Sequence, residues 1–252
     1  IGQIKANGEI GLWGMATPPV PQATGISNGG LFAGTYQVAM TAIHSTGVES
    51  GALDTVAIEV PSGGGIQVVA PSSSGVRFAV YLTSANGGQE ELRLATMIDP
   101  GTTVLIGPQP LGKLLESLFA VRPLPSQQLI HHKGRLWAAS GNVVWFTSDR
   151  SPHWLFPNTG YYLFESTVTM LGAAEDGVYV GTCDKTYYLQ GSDPYNMTQR
   201  QVSSVGAAAN SVSEIPFDIL LSEGSFPSRQ CAWWDTEGFL CIGKPGGIVV
   251  RP

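Results

Sequence analysis

The stretch HHKGRLWAASGNVVWFTSDRSPHW, residues 131–154, gathers three of the chain's four histidines, a Ser-Asp-Arg run and three tryptophans. Imidazole nitrogens bind metals and carry protons, so His131, His132 and His153 first suggest a metal centre. Neighbouring side chains on a strand point to opposite faces, however, and His131 and His132 cannot meet at one ion without a bulge. Zinc also wants orienting carboxylates, and Asp149 is the one acid in the stretch. The histidines therefore read as the polar entry to a strand. Hydrolysis by a Ser-His-Asp set needs a strained nucleophile turn such as G-x-S-x-G. The run Thr147-Ser148-Asp149-Arg150-Ser151 has no elbow glycines and reads as a capped hairpin turn.

Other chemistry fares no better. Glycoside cleavage needs two carboxylates facing across a cleft, whereas Glu90–Glu91 and Glu175–Asp176 both sit beside turn signals where solvated acids are ordinary. The glycines of PSGGGIQ (61–67) would cradle a phosphate only if a helix followed, and a strand pattern follows instead. Asn196-Met197-Thr198 fits a glycosylation pattern that is common by chance. The expectation is a chain with no catalytic residue, no cofactor site and no metal ligand, and therefore not an enzyme.

Two groups remain as candidates. Exposed aromatic rings stack on sugars, so Trp137, Trp145 and Trp154 are the candidate glycan platform if the chain is an adhesin or receptor-binding module. Alternation assigns about half of such rings to the core. Arg122, Lys133, Arg135 and Arg150, with Lys113, form a basic set that would face a partner or DNA passing through a channel.

The elements that position these residues are strands. The 252 residues hold 32 Gly and 17 Pro, with 43% apolar and only 13% charged residues, a composition of strands and turns with few charges for the outside. Much of the surface is then neutral and polar, or covered by neighbouring subunits. A net charge of −6 argues against gripping a nucleic-acid backbone, which requires Lys and Arg. Three cysteines without a C-x-x-C spacing indicate neither a disulfide framework nor zinc, and read as small core residues. No apolar run approaches a membrane span, and the opening residues show no signal-peptide pattern. A start at Ile1 rather than Met suggests that the front is trimmed.

Residues 1–25, with prolines at 18, 19 and 21, read as an extended N-terminal arm. Trp13, Pro18, Pro19 and Pro21 are the candidates for reaching a neighbouring subunit. Over 26–107, Tyr36, Val38, Met40 and Ala42 alternate on one face, Val56, Ile58 and Val60 resume the pattern, and Asn86-Gly87-Gly88 supplies a hairpin turn. Several short strands with turns between them predict a β-sandwich module. Residues 108–126 read as a linker, with a short helix possible over 114–121 between prolines. From 127 to 252 the pattern is hairpins opened by Gly134, Gly177 and Gly238. The first interval matches a four-stranded propeller blade, and the second implies an insertion within VGAAANSVSEIPFDILLSEGSF. The fold class is all-β, a sandwich module plus an incomplete propeller-like body that missing sequence or a neighbouring subunit would complete.

AGTYQVAMTAIHSTGVESG followed by FAVYLTSANGG resembles the fibronectin-type-III-like insert of bacteriophage and prophage virion proteins. QLIHHKGRLWAASGNVVWFTSDRSPHWLF, LGAAEDGVYVGTCDKTYYLQGSDP and CAWWDTEGFLCIGKPGG are similar, in that order, to structural proteins of tailed phages. The resemblance covers residues 10–252 and rests on turns and strands. It implies a tail nozzle or tail tubular-like protein: a homo-oligomeric ring in the tail or head-to-tail connection, in contact with adaptor, portal or tail proteins. DNA would pass through without sequence-specific binding, in a virion assembled in the bacterial cytoplasm.

Overall fold

A computed structural model describes residues 2–4, 10–215 and 228–252. The chain is all-β, and the helical elements among the described residues are single 3-10 turns at Gln89–Glu91 and Pro245–Gly247. None is long and apolar enough to cross a membrane. The chain divides into two compact bodies, one of residues 2–123 with 153–156 and one of 124–152 with 157–252.

The first body contains β1 (Gly2–Ile4), β2 (Ile10–Leu12), β3 (Gln22–Leu31), β4 (Gly34–His44), β5 (Val56–Val60), β6 (Gly64–Val69), β7 (Val76–Leu82), β8 (Arg93–Ile98) and β9 (Thr103–Ile106). β1 pairs with β2, β3-β6-β9 form one antiparallel sheet, and β5-β4-β7-β8 form another. The period-two pattern of β4 has the expected consequence: Tyr36, Val38, Met40 and Ala42 are buried on one face. They meet Ile66, Val68 and Ile106 of the three-stranded sheet in a shared core, so each sheet spends its apolar face on the other.

Two segments and one turn differ from the sequence reading. The arm ends early, because β3 begins at Gln22 in register with Val69. Residues 13–21 are packed on their own body: Trp13 stacks on His153 with ring centroids 5.2 Å apart, and Pro18 and Pro21 are buried while Pro19 is exposed. A segment held this way does not extend freely toward a neighbour. The stretch expected as a linker with a helical turn is, up to Pro123, an extended strap. Gly112 N donates to Leu94 O at 2.7 Å, Ala52 N to Ser117 O at 2.9 Å and Phe119 N to Ala52 O at 2.8 Å. The strap lays Leu115 over Ala39, Ala79, Tyr81 and Leu92 on the outer face of the four-stranded sheet. Asn86 does take a positive φ of 60°, but in a longer connection rather than a tight hairpin. There its side chain accepts from Thr35 N at 3.0 Å and pins the start of β4.

The second body contains β10 (Gln128–His132), β11 (Arg135–Ser140), β12 (Val143–Phe146), β13 (Tyr161–Leu163), β14 (Val168–Ala174), β15 (Gly177–Thr182), β16 (Thr186–Gln190), β17 (Thr198–Ser203), β18 (Ser213–Ile215), β19 (Gln230–Trp234), β20 (Leu240–Lys244) and β21 (Ile248–Val250). They form three antiparallel sheets of four strands, each in sequence order. Trp137, Val144 and Phe146 of the first pack on Leu171, Val178, Val180 and Leu189 of the second. Tyr179, Tyr188 and Met170 of the second pack on Cys231, Trp233 and Cys241 of the third. Neighbours in TYYL thus serve opposite interfaces, as alternation requires.

Gly134 and Gly177 open the second strand of their sheets, whereas Gly238 opens the third. The long second interval in the glycine spacing therefore compares non-equivalent strands. Much of the insertion expected before it falls at 216–227, outside the described residues. Cys231 and Cys241 are buried as expected, but Cys183 is exposed, following a strand that ends at Thr182.

Ile66 is fully buried between the sheets of the first body, and Leu105 faces outward. Ile66→Ala is expected to destabilise that body by about 2–5 kcal/mol and Leu105→Ala by no more than about 0.5 kcal/mol. Urea unfolding followed by tryptophan fluorescence measures both.

Candidate functional site

Site geometry begins at a two-residue turn. Lys133 (φ 47°) and Gly134 (φ 74°) are both left-handed, the type I′ geometry that matches the twist of paired strands. The turn sets His132 opposite Arg135 and Ile130 opposite Trp137, so all four side chains share the inner face of the first sheet. Ser192, Asp193, Pro194 and Met197, from the connection between β16 and β17, complete a cleft with His132, Lys133, Arg135, Trp137 and Asp149. Its volume is about 320 Å³.

Arg135 is buried and its contacts are fixed. It donates to Thr147 O at 2.8 Å and lies 3.3 Å from Asp149 Oδ1. Its guanidinium carbon sits 5.5 Å from the Tyr195 ring centroid and 6.0 Å from that of Phe146, within cation–π range. Asp193 accepts from Tyr195 N at 3.1 Å and Asn196 Nδ2 at 2.6 Å. His132 is 2% exposed. Burial, then the Lys133 and Arg229 charges, push its pKa down to about 4 against an opposing pull from Glu175, so it is neutral at pH 7. His132 Nε2 and Trp137 Nε1 are buried behind the surface of the cleft without a hydrogen-bond partner.

The site residues read from the sequence are thus redistributed. Lys133, Arg135, Trp137 and Asp149 come together in the cleft. His131 and His132 point to opposite faces, one exposed and one buried, and His153 belongs to the first body. No group of three or more metal-binding side chains occurs among the described residues. Trp137 is 1% exposed and offers no stacking face. Trp145 is half-buried against Tyr161 with centroids 5.4 Å apart, and Trp154 is half-buried with Nε1 donating to Glu49 O at 2.8 Å. Of the basic set, Arg135 is a buried, paired cation rather than a channel-facing one. Arg150 and Lys133 are exposed, Arg122 is half-buried, and Lys113 is paired to Glu49.

Ser192, Asp193, Pro194 and Met197 were not foreseen. Their one sequence signal is the polar turn GSDPYN between two strands. The Glu49 cluster in the first body also escaped notice: Tyr81 OH donates to Glu49 Oε1 at 2.5 Å, Thr41 Oγ1 to the same oxygen at 2.7 Å, and Lys113 pairs with the other oxygen. Burial and the Glu49 carboxylate both raise the Tyr81 pKa, so the phenol remains a donor. Lys113, Leu115 and Ser117 belong to the strap, and the cluster holds it in place. The paired acids have structural partners. Glu91 accepts from Ser84 Oγ at 2.8 Å, and Asp176 accepts from Tyr188 OH and from Gly246 N at 3.0 Å.

Two outcomes follow from this geometry. A base whose folded pKa lies below its unfolded value of about 6.5 stabilises fully above that value and loses the contribution as pH falls toward 4. The urea midpoint of the wild type is expected to drop from pH 6.5 to 4 relative to His132→Asn, the difference reaching about 3 kcal/mol. Lys133→Asn, better suited to a left-handed turn position, is expected to raise stability by about 0.5–1 kcal/mol in the same assay.

No protein-family model matches the chain, and no curated protein matches it in sequence.

Proposed function

We propose that the chain is a non-enzymatic structural subunit of a phage virion that assembles with its own copies into a ring in the tail or head-to-tail connection. The observation that supports this most is the way the second body uses its sheet faces. Among the described residues of the second body, β14 to β16 of the middle sheet are covered on both sides and the end sheets on one. The outer face of the third sheet presents Trp234 (51% exposed), Leu240 and Ile248 (57%), and that of the first presents Leu129, Tyr161 and Leu163 (56%). Apolar side chains of this size left in water on a regular sheet mark an interaction surface.

The two faces differ, so a contact between one face and the other on a second copy is heterologous and gives a ring where the rotation closes. The virion setting rests on the resemblance of the strand and turn segments to tailed-phage structural proteins. The net charge of −6 suits DNA that passes without being held. Adaptor, portal or other tail proteins are the partners of such a ring.

Light scattering after size exclusion, with negative-stain electron microscopy, is expected to find a large symmetric oligomer. Trp234→Glu combined with Ile248→Glu is expected to reduce it to folded monomer. A wild-type protein that stays monomeric at about 50 µM, a concentration at which interfaces of standard size are occupied, removes the reading.

A further inference from the structure

The first body carries an exposed phenyl group and an apolar hollow side by side, and assembly through the second body uses neither. Phe32, on the turn between β3 and β4, is 84% exposed, although Leu31 and Tyr36 on either side of it are buried. Tyr36 OH donates to Phe32 O at 3.1 Å and Gly30 N to Gly63 O at 2.8 Å. The turn is thereby fixed and its phenyl group stays in water, where it forfeits the free energy of burial. Beside it lies a hollow of about 260 Å³, walled by Leu31, Tyr36, Leu82, Ala85, Pro108 and Leu111. Leu31, Tyr36 and Leu82 belong to the core between the two sheets, so the hollow opens onto the end of that core.

The wall is held by the backbone: Asn86 N donates to Thr35 O at 2.7 Å, and Asn86 Oδ1 accepts from Thr35 N at 3.0 Å. Its polar side chains are engaged within the body. Thr83 Oγ1 accepts from Gln37 N at 3.0 Å, Ser84 Oγ donates to Glu91 at 2.8 Å, and Gln109 Nε2 donates to Ala95 O at 3.0 Å. The hollow therefore suits an apolar group. A cavity of about 150 Å³ holds benzene, so a benzyl side chain fits in this one.

Two features identify the occupant. A surface with a knob beside a hole is self-complementary under a two-fold axis, because the knob of each copy meets the hole of the other. Such a contact also brings identical groups together, and like charges would oppose it. None of the twelve residues lining the hollow, Phe32 among them, is charged, in a chain whose net charge is −6.

We propose that Phe32 of one copy enters this hollow on a second copy, and the second copy's Phe32 enters the first. One benzyl group in one hollow on each side is a small contact beside an interface of standard size, and a dissociation constant of about 1 mM is expected. Copies at about 50 µM then stay apart unless many such contacts act together. Repeated once per subunit, the contact joins one ring to another; that consequence rests on the ring reading, and the contact itself does not.

The test uses the full chain carrying Trp234→Glu and Ile248→Glu, which block the outer face of the third sheet, or the wild type should it form no rings. Sedimentation equilibrium between about 50 µM and about 2 mM is expected to show a reversible monomer–dimer equilibrium. Phe32→Ser, at a position too exposed to unsettle the fold, is expected to weaken it at least about tenfold, and Phe32→Leu, which keeps an apolar knob, by less than about threefold. In a mixed sample, isotope-filtered NOEs are expected from the Phe32 ring of an unlabelled copy to the Leu82 and Leu111 methyls of a labelled one. A chain that stays monomeric at about 2 mM, a dimer indifferent to Phe32→Ser, or a dimer without those NOEs overturns the proposal. So does N-acetyl-L-phenylalaninamide that shifts the Leu82 and Leu111 methyl signals of a chain showing no dimer, since the occupant is then a side chain of a different protein. Absence of rings leaves this contact and its test standing, and loss of the contact leaves the rings intact.

Discussion

The second body depends on one constraint: its middle sheet is buried on both faces along β14, β15 and β16. Every residue of β15 is buried, and the strand reads as an unbroken apolar run because neither face can be polar. Val178 and Val180 go to one neighbour and Tyr179 to the other. Two side chains then have to fit without space to spare. A Cβ on Gly243 would lie 2.6 Å from the Tyr179 ring, so only glycine lets β20 approach. The Tyr179 hydroxyl, carried into that interface, reaches Lys244 O at 2.5 Å. A phenol buried there without an acceptor would cost about 1–3 kcal/mol.

Polar groups at the margins hold the layers in register. Asp176, in the turn between β14 and β15, takes the Tyr188 hydroxyl of its own sheet and the Gly246 N–H of the next. Asp235 is buried, and burial alone would raise its pKa. The Phe239 N–H, the Arg251 charge and the Glu237 N–H outweigh that and hold it below the ordinary carboxylate value. In the first body Glu49 has the corresponding place, binding Tyr81 and Thr41 of the sheet and Lys113 of the strap. Each is an acid that looks solvated in the sequence; Asp176 and Glu49 are committed to neighbours distant along the chain, and Asp235 to the turn and strand beside it.

That distinction explains what could be read in advance. Alternation in β4 and in VVWF was legible, because which side chain turns inward follows from the period of a strand. The glycines at 134 and 177 marked equivalent hairpins for the same local reason. Residues 108–123 were misread: prolines and a short apolar run look alike in a linker and in a strap, and only Leu92, Ala52 and the back of the sheet decide between them. Trp137 was misread in degree. Its type suggested a platform, but exposure depends on a second sheet that no local pattern announces. The cleft was half legible, with Lys133, Arg135, Trp137 and Asp149 contributed by one hairpin and the opposing wall by a turn about sixty residues on.

The position of the cleft follows from the same layering. Between the first and second sheets the interface is closed by Phe146, Val144 and Leu189, but His132 and Arg135 stand at the end of the first sheet where β10 meets β11 at its turn. Apolar packing gives out there, and the connection leading into β17 closes over a polar margin. A guanidinium in that position is tolerable only if compensated, since an unpaired buried charge costs several kcal/mol. Asp149, Thr147 O and the rings of Phe146 and Tyr195 supply the compensation. Once Arg135 is neutralised in this way, the imidazole and indole nitrogens are the polar atoms still uncompensated.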